Sequence, residues 1–354
     1  MPANIAKDQY GYLAVYVDKP AWHGLGTLIE GARTSEQIIK VSRQNGGQGL
    51  GYVVDTAPAY AKVGNRFIEA PEHRAIVRRD TREVFGFGSS EYKPIQNVDA
   101  LRLPEAIVRT KQAGWVSAGA IGNGAKLFAT LDLSRLADIK VPGDPSKYGQ
   151  YLVITWAHDA TEALRIAPYT MRVECANMRA AFMNTTEHGA MTVRITHTGD
   201  VSEKMDEARR ILGFAEESIK LTAALYRDLA AIPVPSPTKK WLDSFLERLV
   251  PIPEDMERPV ARETAREMIA EVYAHSKSLH NVPASAYRVL QAVDEYADHL
   301  RPLRVSDMAI VPEKRFRSLT EGPAAQLKTR ALDLLREEFE VKVPVLVRAK
   351  ASAN

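Results

Sequence analysis

Residues 115–131 read WVSAGAIGNGAKLFATL, and this stretch decides the fold. It contains two runs with the length and composition of β-strands, 115–120 and 126–131. Gly122-Asn123-Gly124 stands between them, and glycine and asparagine accept the positive φ angles that tight turns require. The stretch therefore predicts a β-hairpin.

A second hairpin is predicted a little further along the chain. Residues 151–156 and 164–167 are apolar runs on either side of a polar turn at 158–161. The segment before this hairpin, 141–146, contains two prolines and a glycine, and we expect it to be a mobile loop.

Residues 171–184 complete the unit that these two hairpins begin. Four apolar residues in this segment fall on one stripe at helical spacing. They are Met171, Cys175, Met178 and Phe182. Residues 115–184 are therefore expected to form a compact β-β-β-β-α unit.

The residues before this unit predict more hairpins and one helix. Gly64-Asn65 is a two-residue hairpin signal between apolar runs, and residues 80–82 are expected to form another turn. From Asn97 to Ala113 the apolar spacing is nearly helical. Asn97 is expected to cap this helix, and Pro104 to shorten or kink it.

The pattern becomes helical at Ser202. Apolar residues recur every three or four positions up to Ala230, which predicts a helix of about seven or eight turns. A helix of this length is expected to pack against another long helix or a second chain. Four shorter helices are predicted after it, at 238–250, 259–275, 284–300 and 322–340.

These patterns predict an α+β fold in three parts. Residues 1–200 are expected to form a β-rich α+β domain that contains the hairpins and the β-β-β-β-α unit. Residues 201–341 are expected to form an all-helical domain, and residues 342–354 a flexible tail.

The composition places the chain among ordinary globular proteins. Apolar residues make up 45% of its 354 residues and charged residues 26%, which argues against wholesale disorder. No apolar run is long enough to span a membrane, and the N-terminus has no apolar signal core. A single cysteine excludes an internal disulfide. We therefore expect a cytoplasmic protein. Its net charge of +3 neither requires nor excludes a polyanionic partner.

The motif Trp22-His23-Gly24-Leu25-Gly26 has two interpretations. His23 is either a base, a ligand or a stacking partner, or it is a structural residue in a segment that docks Trp22 into the core. His158-Asp159 is equally open, because Asp159 either shares a metal with His158 or caps the turn. The histidines show no metal-ligand spacing, and no catalytic residue, metal or cofactor is assigned.

Basic and aromatic residues interleave between residues 74 and 126. Single-stranded nucleic acid is held by cations on its phosphates and by aromatic rings on its bases, and this mixture provides both. Acidic residues in the same stretch leave an ordinary solvated surface as an alternative. The residues expected to bind nucleic acid are Lys93, Lys111, Lys126, Arg165, Arg172 and Arg179.

The chain resembles a family of unknown function called "phage/plasmid-like protein". The resemblance spans about residues 10 to 340. It rests on the Trp22–Gly26 motif, His158-Asp159, the segment from Arg172 to Asn177 and the run from Ala286 to His299. The family's usual Asp-Gly-Ser is Asp159-Ala160-Thr161 here, which puts any role of that glycine in doubt. The resemblance implies a mobile-element origin and no established chemistry.

Element order alone is also similar to the core of phage single-strand annealing proteins of the Red-beta and Erf type. The leading hypothesis is thus a phage or plasmid protein that binds single-stranded DNA, with strand annealing by a homo-oligomer in a bacterial host cell as its expected role. The alternative is a counter-defence protein that binds a host protein through its helical half. A third hypothesis, an enzyme, needs His23, His158 and Asp159 in one cleft.

Overall fold

The computed structural model describes residues 5–19, 25–160, 164–172, 177–180, 191–192, 201–255, 257–302 and 322–341. Strands and hairpins fill the first half and helices fill the second, which confirms the predicted α+β fold. Both predicted hairpins of the central unit, and both hairpins predicted before it, are present.

The strands of the described residues form three sheets. The main sheet has eight strands in the order β12-β11-β10-β9-β8-β3-β4, with β13 also paired to β11. A smaller sheet has the order β5-β6-β7, and β1 pairs with β2. The strands are β1 (Lys7–Asp8), β2 (Gly11–Tyr12), β3 (Ala14–Val17), β4 (Thr27–Ile29), β5 (Val54–Val63), β6 (Arg66–Arg78), β7 (Val84–Ser89), β8 (Gly114–Ile121), β9 (Lys126–Asp132), β10 (Tyr148–Ala157), β11 (Arg165–Arg172), β12 (Asn177–Ala180) and β13 (Met191–Thr192).

The helices pack against the main sheet and against one another. They are α1 (Ser35–Ser42), α2 (Asn97–Ala100), α3 (Arg102–Arg109), α4 (Val201–Ala231), α5 (Thr238–Leu249), α6 (Val260–His275), α7 (Ala286–Glu295) and α8 (Pro323–Glu338). Short 3-10 turns lie at Gly49–Gly51 and Lys277–Leu279, and a π-helical turn at Tyr296–Leu300 extends α7. The predicted positions of the helices after residue 200 are confirmed within a few residues.

One hydrophobic core joins the two halves of the chain. On β10, Leu152, Ile154 and Trp156 alternate with less buried residues, as expected for a strand with one face on the core. Helices α3, α4 and α7 contact the sheet at β9, β11 and β12. The same buried cluster contains Leu131 of the sheet and Leu290 of α7. The predicted domain boundary at residue 200 stays a prediction, and the tail at 342–354 lies outside the described residues.

The long helix α4 packs within its own chain. It contacts α3, α7 and β11, and the predicted apolar stripe is buried from Ala208 to Leu229. These contacts within the chain provide the long packing surface that was expected for a helix of this length.

The helix predicted at 171–184 is wrong where the structure describes that segment. Met171 and Arg172 belong to β11, and β12 pairs with it antiparallel, so that Met171 faces Met178. β10 begins at Tyr148, three residues earlier than predicted, and Tyr148 pairs with Arg172. Because the longer β10 needs a longer partner, β11 takes the residues that would have started the helix. The rest of the segment, including Cys175 and Phe182, lies outside the described residues.

Asn97 does not cap its helix. The residue before α2 is Gln96, whose side chain makes no cap hydrogen bond. The Asn97 amide is buried and is engaged elsewhere, because its Oδ1 accepts from Trp156 and His158. The predicted helix divides at Leu101, between α2 and α3, and Pro104 lies in the first turn of α3. A first-turn position suits proline, since no helical hydrogen bond is lost there.

Candidate functional site

A groove runs between α1 and the α2–α3 pair. Its first part is a cavity of about 840 Å³, with Lys40 and Arg43 on the α1 side and Arg102 and Arg109 on the α3 side. The local sequence explains where α1 begins. Thr34 and Gln37 form a capping box just before the buried Ile38 and Ile39.

A second cavity of about 590 Å³ continues the groove toward the start of β8. The two cavities share Thr34 and Arg109 in their linings, so they adjoin each other, and together they are called the basic groove below. The second cavity adds Arg33, Lys111 and Arg135 to the lining.

The charges in the basic groove are unevenly balanced. Seven basic side chains line it and all are exposed, against three acidic ones, Asp18, Glu36 and Glu105. Three of the cations make contacts of their own: Arg102 pairs with Asp99, Arg109 pairs with Glu105, and Arg135 donates to the Lys111 carbonyl. The other four have no carboxylate partner among the described residues. They are Arg33, Lys40, Arg43 and Lys111.

Glu105 fixes the two walls of the groove relative to each other. Its Oε2 accepts from the Ser35 backbone N–H at 2.9 Å and from the Ser35 hydroxyl, and its Oε1 accepts from Arg109 Nη2 at 2.6 Å. Burial alone would raise the pKa of Glu105, but these donors outweigh it and hold the pKa below its ordinary value. The carboxylate therefore stays ionised and joins the start of α1 to α3.

Trp115 lies at the end of the basic groove and is almost fully buried. Its indole Nε1 is buried and has no hydrogen-bond acceptor among the described residues. Such a group carries an energetic cost of about 1–3 kcal/mol. Val17, Val108 and Ala113 are the apolar neighbours that line the same cavity.

His158 lies in the interior, where it is 1% exposed. Its Nε2–H donates to Asn97 Oδ1 at 2.7 Å, and its ring stacks on Phe85 at a centroid distance of 6.2 Å. Burial lowers the pKa of His158 to about 4, although Asp159 acts in the opposite direction. We interpret this neutral, buried imidazole as a structural residue. Trp22 and His23 lie outside the described residues, so the convergence of His23 with His158 and Asp159 stays a prediction.

Arg78, near the start of the interleaved basic and aromatic stretch, is also structural. Its guanidinium is 1% exposed, pairs with Asp8 at 2.6 Å and Asp80 at 2.7 Å, and lies 4.2 Å from the centre of the Tyr52 ring. At this position the alternation of basic and aromatic residues therefore comes from a buried ion pair, and not from a surface that could bind nucleic acid.

Arg172 is part of a buried polar network that joins the halves of the chain. Its Nε and Nη2 donate to Asp144 at 2.8 Å each, and Nη2 also donates to the Ser278 carbonyl. Tyr148 and Tyr287 donate to the same carboxylate, at 2.7 and 2.8 Å. Burial would raise the pKa of Asp144, but Arg172 and the other donors lower it well below its ordinary value.

This network corrects two expectations. The segment at 141–146, expected to be mobile, holds the buried Asp144 at the centre of the network. Arg172 was expected to contact phosphates, but its side chain is only 2% exposed and its Nε and Nη2 donors are already engaged. We therefore interpret Arg172 as a structural residue, because a buried guanidinium that is paired with Asp144 cannot meet a phosphate at the surface.

The other residues expected to bind nucleic acid do not all line the basic groove. Lys111 lines the basic groove, whereas Lys93 is exposed ahead of α2. Lys126 and Arg165 are partly buried on β9 and β11, which β10 separates. Arg179 lies on β12, and its side chain is outside the described residues.

The sequence did contain a signal for part of the groove. The capping box at Thr34 and Gln37 predicts α1, and a helix there places Lys40 and Arg43 one turn apart on a single face. No local sequence pattern indicates that Arg33 and Arg135 belong to the groove, because only the fold brings them together.

A second exposed feature is the outer end of the small sheet, called the hairpin arm below (Tyr60–Glu69). β6 pairs with β7 only from His73 to Val77, so the arm has just two strands. Tyr60, Val63, Phe67 and Ile68 are between 53% and 71% exposed on it. Two-stranded hairpins are marginally stable alone, and exposed apolar patches mark contact sites.

Two kinds of site were not found in the described part of the chain. No three residues of the His, Cys, Asp and Glu types come together there as metal ligands. No helix there has the length and apolar character needed to cross a membrane.

The chain belongs to the family described as "Domain of unknown function (DUF932)", which matches residues 84–326. The matched region begins at β7 and ends inside α8, so it includes both the sheet core and most of the helical half. It contains Arg109, Lys111, Trp115 and Arg135 of the basic groove, but not α1. No curated protein and no solved structure matches the chain.

Proposed function

We propose that this protein binds single-stranded DNA along the basic groove. The observation that carries the proposal is the concentration of seven exposed cations, four of them without a carboxylate partner among the described residues, around two adjoining cavities. The chain as a whole is almost neutral, so this charge is a local feature. Cations clustered on one face are the electrostatic signature of a nucleic-acid-binding protein.

A single strand fits the groove better than a duplex does. The depression is concave and is bounded by two helices, so a flexible phosphate backbone can follow it, while a stiff duplex presents a convex surface. Arg33, Lys40, Arg43 and Lys111 would each neutralise a phosphate and release counterions.

The groove would hold the backbone and leave the bases free. The aromatic residue in its lining is Trp115, which is 5% exposed and offers no open ring for stacking. Bases that are not stacked on protein remain available to a complementary strand. This supports strand annealing as the role of the bound complex, and annealing requires no catalytic residue.

The experiment is a titration of fluorescently labelled single-stranded oligonucleotide, followed by anisotropy at several salt concentrations. The groove variant is Lys40→Gln/Arg43→Gln. The matched control is Lys239→Gln/Lys240→Gln, which removes two exposed cations from α5, where Asp243 and Glu247 balance them. Circular dichroism checks that both variants fold.

We expect the wild type and the control variant to bind with equal affinity. The groove variant should bind more weakly and show a salt slope smaller by about 1.4, since each phosphate contact on a single strand contributes about 0.7. Absence of binding by folded wild-type protein at low salt, or equal loss in both variants, would contradict the proposal.

We also propose that the protein is a homo-oligomer that uses the hairpin arm as its contact. The arm carries basic residues at its tip, Lys62 and Arg66, and an acidic residue at its base, Glu69, with Glu72 just beyond it. Two arms lying antiparallel would therefore match opposite charges while covering the exposed apolar side chains of one face, which are Tyr60 and Phe67 on one side of the arm and Val63 and Ile68 on the other. This arrangement follows from the symmetry that most homo-oligomers share.

Light scattering coupled to size-exclusion chromatography tests this contact. Phe67→Ser/Ile68→Ser should reduce the mass of the assembly, and Val260→Ser, which changes a 65% exposed side chain on α6, should not. A wild-type protein with the mass of one chain would contradict the proposal.

An origin in a phage or plasmid, and a location in the cytoplasm of a bacterial host, belong to the same proposal. They rest on the sequence resemblance. The alternative, docking of a host protein on the helical half, finds less support. The large apolar side chains exposed on its described residues, Val260 and Leu300, lie on separate elements.

A further inference from the structure

We propose that the hairpin arms of two chains also pair edge to edge through β6, so that they form one four-stranded antiparallel sheet. This deepens the proposed homo-oligomer and rests on it, because the partner is again a second copy of this chain. A contact through a face of the arm leaves the edges of its strands open. The edge contact is therefore a second interface on the same arm.

One edge of β6 has no partner strand in the part of the chain that the structure describes. β7 pairs with β6 only from His73 onward, so the stretch from Arg66 to Ala70 is paired with β5 alone. This stretch is called the free edge below. Pro71 ends it, because proline has no N–H to donate. An unpaired strand edge is a template for pairing with another chain.

The turn at the tip of the arm decides which main-chain groups point out of the free edge. It has two residues, and the φ of Gly64 is 61°, as in the turns that close hairpins. The residues that flank such a turn hydrogen-bond to each other, and the bonds then alternate along the strands. Arg66 and Ile68 therefore bond to β5. Phe67 and Glu69 present their N–H and C=O groups to the free edge.

These groups specify the register of a two-fold pair. With Phe67 opposite Glu69 of the partner subunit, the two arms exchange four main-chain hydrogen bonds, and Ile68 lies opposite Ile68 of the partner subunit. A shift in one direction would place Glu69 opposite Glu69 of the partner subunit, where like charges repel. A shift in the other direction would bring the turn residue Asn65 opposite Glu69 of the partner subunit. The first register is therefore favoured.

Pairing in this register adds contacts on both faces of the arm. On one face Ile68 packs against its copy in the partner. On the other face the two Phe67 rings are diagonal neighbours, a position within reach of aromatic side chains. Lys62 pairs with Phe67 across the arm, so it shares this face with Glu69 of the partner subunit. Apolar cover and opposite charges thus both support a second copy as the occupant of the free edge.

Disulfide cross-linking of the full chain tests the pairing. Ile68→Cys should link two chains under mild oxidation, because the Cα atoms of a non-hydrogen-bonded antiparallel pair lie about 4.5 Å apart, within disulfide range. The matched control is Ala61→Cys, an exposed residue that pairs with Ile68 on the same face of the arm. Its two copies would be three strands apart, about 14 Å, which is too far for a disulfide. Both variants carry Cys175→Ser, so that the natural cysteine cannot react.

Linked chains on a non-reducing gel with Ile68→Cys, and none with Ala61→Cys, would support the edge contact. Equal linking of both variants, or no linking in a protein that light scattering shows to be assembled, would overturn it and leave the homo-oligomer in place. A wild-type mass of one chain would remove the homo-oligomer and the edge contact together.

A second comparison decides the question should Ile68→Cys no longer assemble. Glu69→Pro removes a donor from the free edge without removing a hydrogen bond to β5, and Glu69→Gln removes the charge but keeps the donor. The paired arms lose two main-chain hydrogen bonds in the proline variant. Its dissociation constant in analytical ultracentrifugation should therefore be about thirtyfold higher than that of the glutamine variant. Equal constants for the two folded variants would overturn the edge contact.

Discussion

Lys111 is the residue at which binding and stability oppose each other most clearly. Its φ is 66°, and a lysine in this left-handed region costs about 1 kcal/mol relative to glycine. Lys111→Gly should therefore raise the free energy of unfolding by up to about 1 kcal/mol in urea titrations, while oligonucleotide affinity falls. A variant that loses stability together with affinity would show that the lysine is a structural residue.

His158 predicts a dependence of stability on pH. Its pKa is about 4 in the folded chain against an ordinary value of 6.5, so between these values the unfolded chain binds more protons. The stabilisation that comes from burying His158 in its neutral form is complete above pH 6.5 and is lost as the pH falls through 4. The difference between the two pKa values corresponds to about 3 kcal/mol of unfolding free energy.

The comparison for this prediction is His158→Gln, which keeps a donor for Asn97 and does not titrate. The unfolding free energy of the wild type, measured relative to this variant, should fall by about 3 kcal/mol from pH 7 to pH 4. Parallel pH profiles of the two proteins would mean that His158 is not buried in its neutral form.

At the scale of single elements, α4 contains a glycine that its packing does not require. Gly213 is exposed in the helix, and a Cβ there would meet nothing within 4 Å. Gly213→Ala should raise the free energy of unfolding by about 0.5–1 kcal/mol, because alanine loses less conformational freedom in a helix. Denaturant titration measures this, and a destabilised variant would place another surface against that face of α4.

The elements that sequence predicts well are those with local signals. Gly64-Asn65 and Gly122-Asn123-Gly124 mark turns by backbone chemistry alone, and the stripe on α4 repeats over the whole helix. The pairing of β3 with β8 joins residues about a hundred positions apart, and no local pattern reports it. Met171 and Met178 led to the wrong helix prediction, because residues seven positions apart lie on one face of a helix after two turns. Residues with the same spacing can also face each other across two paired strands.

The candidate site was predictable to a smaller extent than the fold. Lys111 was expected to bind nucleic acid and does line the groove. Arg172 was expected to do the same and is buried, because its partner Asp144 lies in a loop whose proline and glycine content suggested mobility. Ion pairs between distant segments cannot be inferred from one sequence, so an arginine at the surface and one in the core look alike.

For the whole molecule, the Asp144–Arg172 pair is the centre of a buried polar link across residue 200, because Asp144 also accepts from Tyr287 and Arg172 donates to the Ser278 carbonyl. Asp144→Asn leaves the Arg172 charge buried without its counter-charge, which should lower the free energy of unfolding by about 3–5 kcal/mol. Arg172→Met added to this variant should restore part of the loss. Additive losses in the double variant would argue against a coupled pair.

The common core predicts that the two halves unfold together. Urea unfolding followed by tryptophan fluorescence and by far-ultraviolet circular dichroism should give coincident transitions. Two separated transitions would instead support independent domains that divide near residue 200.

The central claim is that the basic groove is where nucleic acid lies. Lysine acetylation with and without a short single-stranded oligonucleotide, read by mass spectrometry, tests it at named positions. Lys40 and Lys111 should be protected in the complex, while Lys239 and Lys240 on α5 should react equally in both states. If the oligonucleotide binds while Lys40 and Lys111 react as fast as in the free protein, the strand lies elsewhere and the account is contradicted.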